Sequence, residues 1–316
     1  MPRRRPTLSR RARSAIAEVV GEQHLVVDPD LVRGNEIDWT GRFEGVTPAV
    51  VRPADTAEVA AVLAVCHAES VAVVPQGGNT GLVGGGVPLA GEMVLSLVRL
   101  TELGPVDELA AQVSAGAGVT LGTLQRHVAG AGLAYGVDLA ARDTATVGGT
   151  IATNAGGVHV LRWGATRRQV LGVEAVTADG RVLRHLDGLV KDNTGYDLSG
   201  LLCGSEGTLA VVTAARLRLV SRHPYSVVAL CAFAEVATAV QVAAEVRRRL
   251  DSLDAAELFL DEGLALVRDV TGRPAPLAAR HPVYVLFEAS AAADPSDALA
   301  ALLADQPGVR DVAVAV

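Results

Sequence analysis

The amino-acid sequence predicts an α+β protein made of two successive domains. Its 316 residues suffice for about two domains of average size. Half of the residues are hydrophobic and only 3% are aromatic, so valine, leucine and alanine must build the cores. Helix-like and strand-like segments alternate along the chain, and beyond residue 222 they follow a β-α-β-β-α-β order with one extra helical turn. That order is typical of a ferredoxin-like domain.

The first two thirds of the chain mix helix and strand signals. Asp55 is a suitable N-cap for a helix over 56–69, where apolar residues recur at helical spacing. The apolar runs 71–74 and 93–98 are predicted strands, and a second helix is predicted over 120–131.

A hairpin signal lies further along the chain. Asp179-Gly180 joins two apolar runs within 171–183, and this dipeptide favours a tight turn between antiparallel strands. The alternating segment 209–220 is a further predicted strand.

The last third contains the ferredoxin-like pattern, which we expect to begin near 221–225. The predicted strands are 225–233, 257–260, 282–289 and 309–314. The predicted helices are 235–250, 261–269 and 295–304.

Charge and composition exclude several classes of function. The net charge of −7 argues against a nucleic-acid binder. No segment approaches the roughly 18 apolar residues of a membrane span, and the arginine-rich start lacks the apolar region of a signal peptide. The sequence therefore predicts a protein without a transmembrane segment.

Cysteines and histidines show no metal-binding spacing. Cys66, Cys203 and Cys231 are far apart, so buried free thiols and a reducing cytoplasm are predicted. The seven histidines form no His-x-His or His-x-x-x-His pair, and no metal site is expected.

Residues 75–86 form the most informative segment, because six of these twelve residues are glycine. Bare backbone N–H groups in such a loop can form a concave nest for an anion such as a pyrophosphate. The alternative is a flexible surface loop, and glycine content alone does not separate the two.

Two further clusters follow, at 136–157 and at 191–209. Asn154 offers an amide that suits the pyrimidine edge of a flavin ring, although this cluster alone favours a tightly packed helix–sheet contact with Asn154 as a cap. Glu206 fits a hydrogen-bonded structural carboxylate better than a catalytic base.

In combination, these clusters resemble the FAD-linked oxidases of the vanillyl-alcohol oxidase superfamily, which share the PCMH-type FAD-binding domain. The nearest branch is that of the 2-hydroxy-acid dehydrogenases, which includes D-lactate dehydrogenase, the FAD subunit of glycolate oxidase and D-2-hydroxyglutarate dehydrogenase. The matching segments are 75–85, 147–157, 191–198 and Gly204-Ser205-Glu206-Gly207-Thr208-Leu209.

The resemblance implies a lead-in over 1–44, a two-lobed PCMH-type FAD-binding domain over 45–222 and a partial ferredoxin-like cap over 223–316. It also implies a set of FAD-binding residues. These are Pro75, Gln76, Gly77, Gly78, Asn79, Thr80, Gly81, Leu82, Asp138, Thr144, Gly148, Gly149, Ala152, Asn154, Gly156, Glu206, Gly207 and Val211. The first loop would wrap the pyrophosphate, the second segment would line the isoalloxazine and ribityl chain, and Glu206 would lie near the adenine end or brace the loops.

The chain departs from the family at three points. Relatives with covalent FAD often carry a histidine where this chain has Asn79, so the resemblance implies non-covalent FAD. Ala210 replaces a family glycine, which we expect to be tolerated. Relatives also continue into a region with metal-ligating histidines, a carboxylate and a substrate-binding arginine, so a C-terminally shortened chain is expected and the catalytic residues stay unknown.

The implied function is oxidation of a small 2-hydroxy acid by hydride transfer to flavin N5, with an unknown electron acceptor. One alternative is a non-catalytic FAD-binding fragment or subunit that needs a partner chain. A further alternative is a flavoenzyme similar to enolpyruvyl-glucosamine reductase.

Overall fold

The structure is a computed structural model that describes residues 5–315. The chain forms two compact units. Unit 1 comprises the residues up to Gly157 together with Ala165–Ser221. Unit 2 comprises Arg222 onwards together with the short segment Val158–Gly164, which leaves unit 1 and returns to it.

The helices are bounded by the following residues. They are α1 (Arg10–Val20), α2 (Pro29–Glu36), α3 (Thr56–Ala68), α4 (Leu121–Ala129), α5 (Val147–Thr153), α6 (Val160–Trp163), α7 (Leu198–Leu202), α8 (Val236–Arg249), α9 (Asp261–Thr271) and α10 (Ser296–Ala304).

The strands are bounded in the same way. They are β1 (Leu25–Val26), β2 (Val50–Val51), β3 (Val73–Gln76), β4 (Met93–Ser96), β5 (Gln112–Gly116), β6 (Leu133–Ala134), β7 (Val170–Val176), β8 (Val182–His185), β9 (Val211–Arg218), β10 (Val220–Ser221), β11 (Tyr225–Phe233), β12 (Leu253–Leu260), β13 (Val283–Ala291) and β14 (Asp311–Ala315).

Unit 1 contains two sheets of four strands. The first has the order β1-β2-β4-β3, and its β2–β4 and β4–β3 pairs are parallel. Helices α1 and α3 bury their apolar sides against it. Asp55 caps α3 as predicted, with its Oδ1 accepting from the Glu58 N–H at 2.9 Å. At the end of β3 the chain continues directly into the glycine-rich loop.

The second sheet of unit 1 has the order β5-β9-β7-β8 and is antiparallel. The hairpin predicted at Asp179-Gly180 is confirmed, because Val176 pairs with Val182 across the turn. Helices α4 and α5 contribute Leu121, Leu124 and Ile151 to the core of this lobe. The two-lobed α+β architecture therefore follows the prediction.

Unit 2 is an antiparallel sheet of order β12-β13-β11-β14, with α8 and α10 contributing to the core on one face. The β-α-β-β-α-β order agrees with the ferredoxin-like prediction, and α9 is the extra helix. Strand β12 begins at Leu253, four residues earlier than predicted.

The segment Val158–Gly164 is fastened to unit 2 by a buried ion pair. Arg162 Nη1 lies 2.6 Å from Asp254 Oδ1, and the two side chains are 17% and 5% exposed. The same guanidinium nitrogen donates to the Ser290 carbonyl at 2.9 Å. Helix α6 is thereby part of unit 2, although it lies in the chain between two parts of unit 1.

Helix α9 of unit 2 leaves several apolar side chains exposed. None of its residues is buried, and Leu266, Val267 and Val270 are 64%, 54% and 76% exposed. Helix α8, by contrast, buries Ala239, Val242 and Val246.

Candidate cofactor site

The three glycine-rich clusters come together in unit 1 around one cavity of about 410 Å³. This volume lies within the range of about 300–1,000 Å³ that is typical of small-molecule and cofactor sites. The residues of the predicted FAD set that line the cavity are Pro75, Gln76, Gly77, Gly78, Asn79, Thr80, Gly81, Leu82, Gly148, Gly149, Ala152, Glu206, Gly207 and Val211. Clusters far apart in the chain thus form one site.

The segment Gly77–Val83, which we call the phosphate loop, leaves its backbone donors without protein partners. In the part of the chain that the structure describes, none of the seven N–H groups from Gly77 to Val83 donates to another protein group. Backbone donors in folded proteins are normally paired, and a run of free ones forms an anion nest. The loop therefore fits a pyrophosphate, and the flexible-loop alternative does not account for its position on the cavity wall.

Glycine is required at two positions of this loop because other atoms of the protein, backbone at one and a threonine side chain at the other, lie against it. A Cβ on Gly78 would stand 1.9 Å from the Thr144 carbonyl oxygen, and one on Gly77 would stand 2.3 Å from Thr146 Oγ1. At Gly81 a Cβ would meet no atom within 4 Å. The loop is consequently packed at its start and open at its middle, where a ligand can approach the main chain.

The cavity is lined without basic side chains. Among its described lining residues, none is lysine or arginine, and the carboxylates are those of Asp38 and Glu206. A bound diphosphate would therefore be held by backbone dipoles and not by ion pairs.

Asp38 is turned into the protein and organises a tight turn. Its Oδ2 accepts from the Thr40 hydroxyl at 2.7 Å, and its Oδ1 accepts from the N–H groups of Arg42 and Phe43 at 3.1 and 3.2 Å. Burial acts to raise the pKa of this carboxyl, but the hydrogen bonds together hold its pKa below the ordinary value. The carboxylate is thus stabilised by its own loop, and no feature of the sequence alone drew attention to it.

Each of three segments around the cavity contains one non-glycine residue with left-handed backbone. Asn79, Asn154 and Glu206 have φ angles of 51°, 49° and 51°. Such residues are uncommon and concentrate at functional sites. At Glu206 the conformation directs the N–H to the Ala152 carbonyl at 2.9 Å, which joins the third cluster to the second.

Four residues of the predicted set do not line the cavity: Asp138, Thr144, Asn154 and Gly156. Asn154 ends α5, and its Oδ1 accepts from the Arg167 N–H at 2.9 Å. Asp138 Oδ2 pairs with Arg142 at 2.7 Å, while its Oδ1 is buried without a hydrogen-bond partner among the described residues. The helix-cap interpretation of Asn154 therefore agrees with its contacts.

Other lining residues were absent from the predicted set. They include Asp38, Leu97, Leu139, Thr146, Thr153 and Ser205. Thr146 is the N-cap of α5 and its Oγ1 accepts from the Gly149 N–H. A Thr-x-x-Gly cap ahead of a short helix is the sequence feature from which this residue could have been found.

The prediction of buried free thiols is confirmed. Cys66, Cys203 and Cys231 are all free and buried. Burial raises the pKa of Cys66 and of Cys231 to about 12, and that of Cys203 to about 11.

Over residues 5–315, no helix is long and apolar enough to span a membrane. Within the same residues, no group of three or more histidine, cysteine or acidic side chains is placed to hold a metal ion.

Comparison with known proteins identifies the domain. Residues 47–185 match the family model described as an FAD binding domain. The chain is 42% identical over 286 residues to a D-2-hydroxyglutarate dehydrogenase of Xanthomonas citri, a match that covers 90% of this chain and 60% of that protein. It is 38% identical to the mitochondrial D-2-hydroxyglutarate dehydrogenase of Bos taurus, with 90% of this chain and 52% of that protein covered.

A putative mitochondrial D-lactate dehydrogenase of Schizosaccharomyces pombe is 37% identical over 83% of this chain and 50% of its own length. The chain thus spans about half to three fifths of the length of these curated relatives.

Solved structures share the fold at low sequence identity. Alkyldihydroxyacetonephosphate synthase superposes with a TM-score of 0.79 at 16% identity, covering 97% of this chain and 62% of that one. Substrate-bound p-cresol methylhydroxylase superposes with a TM-score of 0.76 at 15% identity, covering 97% and 67%. The predicted PCMH-type fold is therefore confirmed, and residues 47–185 match an FAD binding domain, so FAD is the cofactor.

Proposed function

We propose that the chain belongs to an enzyme that oxidises a small 2-hydroxy acid, with D-2-hydroxyglutarate as the first candidate and D-lactate and glycolate as the others. The similarity to D-2-hydroxyglutarate dehydrogenases over 90% of the chain carries this proposal. The FAD cavity supports it, because such an oxidation needs a hydride acceptor.

Bound FAD would supply that acceptor at flavin N5. The chain's own contribution is to bind and orient the cofactor. The phosphate loop would hold the pyrophosphate through its free N–H groups, and the segments around Gly148 and Glu206 would line the rest of the cofactor. Asn79 has no imidazole that could bond to the flavin, so we propose non-covalent binding.

The division into domains is part of the proposal. We assign FAD binding to 45–222, after a lead-in over 1–44, and a partial substrate cap to 223–316. The catalytic residues and the electron acceptor stay unassigned.

A second candidate is favoured by one observation: no lysine or arginine that could hold a substrate carboxylate is among the described residues that line the cavity. In this case the chain would bind FAD without catalysis of its own, and a partner chain would supply substrate-binding groups. A cytoplasmic location is our proposal on the basis of the free thiols, although several relatives carry "mitochondrial" in their names.

The test begins with the purified chain and its flavin spectrum. After FAD loading, D-2-hydroxyglutarate, D-lactate or glycolate is added without oxygen. Bleaching of the flavin band by one of these acids supports the enzyme. A yellow protein that none of them bleaches contradicts activity of this chain alone and leaves the second candidate. Acid precipitation, which releases only non-covalent flavin, tests the mode of attachment.

A further inference from the structure

The phosphate loop is held by residues that precede the matched FAD binding domain, 47–185, in the chain. The first contact involves Gln76, which is the last residue of β3 and is only 3% exposed. Its Nε2 donates to the Asn35 carbonyl at 3.0 Å and to the Gly86 carbonyl at 2.8 Å. Its Oε1 accepts from Asn35 Nδ2 at 2.5 Å. One amide therefore joins α2 to both ends of the glycine-rich segment.

Asn79 makes the second contact from within the loop. Its Nδ2 donates to the Ile37 carbonyl at 2.8 Å and to the Gly34 carbonyl at 3.3 Å. Its backbone is left-handed, with φ of 51°. Asparagine tolerates that conformation better than most residues, and the side chain fixes it by bonding to α2 and the residue after it.

A ring packed against glycine makes the third contact. Phe43 lies so close to Gly84 that a Cβ there would stand 2.5 Å from Phe43 Cγ. The hydrogen bonds that Asp38 accepts fix the turn that carries Phe43. The far end of the glycine-rich segment is therefore held by the same stretch of chain.

That stretch is itself anchored. Glu36, at the end of α2, is 1% exposed, and its Oε1 accepts from Arg5 Nη1 at 2.5 Å and from the Thr47 N–H at 2.8 Å. These contacts anchor the end of α2. Residues 34–38, which we call the clasp, therefore offer the loop a fixed support.

Side chains and backbone have separate roles in this region. Gln76 and Asn79 direct their amides to the clasp, while the N–H groups of the loop stay free. We propose that the clasp sets the conformation in which the phosphate loop binds the FAD diphosphate, with Asn35, Gln76 and Asn79 as positioning residues. The inference rests on the FAD site and does not depend on which acid is oxidised.

Two variants test the clasp from its two sides. Asn79→Gly removes the side-chain amide, and glycine adopts the positive φ of this position without strain. Asn35→Ala removes the side-chain amide that donates to Gln76 Oε1 and leaves the loop sequence intact. Leu31→Ala is the matched control, because Leu31 lies on the same helix and is 67% exposed.

The measurement is the dissociation constant of three probes with the apoprotein: FAD, ADP and riboflavin. Each variant loses one or two hydrogen bonds, so we expect FAD and ADP to bind about ten-fold more weakly. Riboflavin carries no phosphate, and its affinity should match that of the wild type. Leu31→Ala should bind all three probes as the wild type does.

Several outcomes overturn the inference. Unchanged FAD and ADP affinities in folded variants show that the clasp does not position the loop. Equal loss for riboflavin shows a general structural defect instead. If Asn79→Gly fails to fold, Asn35→Ala decides the matter. A wild-type chain that cannot bind FAD or ADP overturns both the site and the clasp, whereas a chain that binds FAD but oxidises no acid contradicts only the proposed function.

Discussion

The phosphate loop of unit 1 and helix α9 of unit 2 differ in which of their groups protein contacts leave uncovered: backbone N–H groups in the loop and apolar side chains in the helix. Hydrogen bonds fix the side chains of Asn79 in the loop and of Gln76 directly before it, while the described backbone N–H groups from Gly77 to Val83 are free. Helix α9 has regular helical backbone, but no residue of it is buried. Free N–H groups on a cavity wall specify an anionic ligand, because geometry and charge both restrict what can pair with them. An uncovered aliphatic face specifies only that apolar contact would be favourable.

The largest expected effect concerns a polar contact of unit 2. Arg162→Ala leaves the carboxylate of Asp254 buried without its partner, which should lower the free energy of unfolding of that unit by about 3–5 kcal/mol. FAD affinity, which depends on unit 1, should stay close to that of the wild type. Denaturant unfolding and flavin titration measure the two quantities.

A double replacement controls this experiment. Arg162→Leu combined with Asp254→Leu removes both charges and should recover most of the lost stability. A large loss of FAD affinity in Arg162→Ala would show that FAD binding depends on unit 2 as well as on unit 1.

The next effect tests the packed start of the phosphate loop. Gly78→Ala places a methyl group against the Thr144 carbonyl, so we expect about 1–3 kcal/mol of destabilisation and weakened FAD binding. Gly81→Ala, where a Cβ meets nothing, should change the stability of the apoprotein by less than about 0.5 kcal/mol. Thermal unfolding of the two apoproteins makes the comparison. Equal losses would mean that the loop is not packed as described.

A third pair compares two helices of unit 2. Val242 on α8 is 5% exposed, so Val242→Ala should cost about 2 kcal/mol through lost burial and cavity formation. Val270 on α9 is 76% exposed, and Val270→Ala should cost less than about 0.5 kcal/mol. Similar losses at the two positions, measured by denaturant unfolding, would reveal that the α9 face is covered in solution.

The smallest effect is a dependence on pH. The pKa of Asp38 is lower in the folded chain than the ordinary value of about 3.9, so its contribution to stability is present above that value. The contribution is lost as the pH falls through the lowered pKa. The stability difference between wild type and Asp38→Asn should therefore shrink on acidification, as followed by thermal unfolding at pH 6 down to pH 3 in steps. A difference that grows as the pH falls would contradict the assigned sign.

The backbone shape of the glycine-rich segments could be predicted from the sequence because its signals are local. Glycines at 77 and 78 and the Asp179-Gly180 turn encode backbone shape, and the structure places them as expected. Strand limits were less accurate. Strand β3 was expected over 71–74 and lies at Val73–Gln76, since its register is set by pairing with β4 and an apolar run carries no sign of its own end.

Side-chain direction could not be predicted either. Asn79 and Asn154 were both predicted to bind FAD, yet their side-chain amides bond to the backbone of Ile37 and Arg167. The partners lie 42 and 13 positions away in the chain, and no local pattern announces such distant bonds. Asp254 is similar, because a buried carboxylate inside a strand becomes intelligible only once Arg162 is seen beside it.

The assignment of the segment Val158–Gly164 to unit 2 has a consequence for the design of fragments and chimaeras of this protein. Unit 2 is not one continuous stretch of gene, because one of its helices is encoded inside unit 1. A fragment that begins at Arg222 would lack Arg162 and expose the carboxylate of Asp254 and the Ser290 carbonyl without their partner. Replacement of unit 2 through a single crossover near Arg222 would meet the same obstacle, so this chain needs two crossovers for an intact exchange.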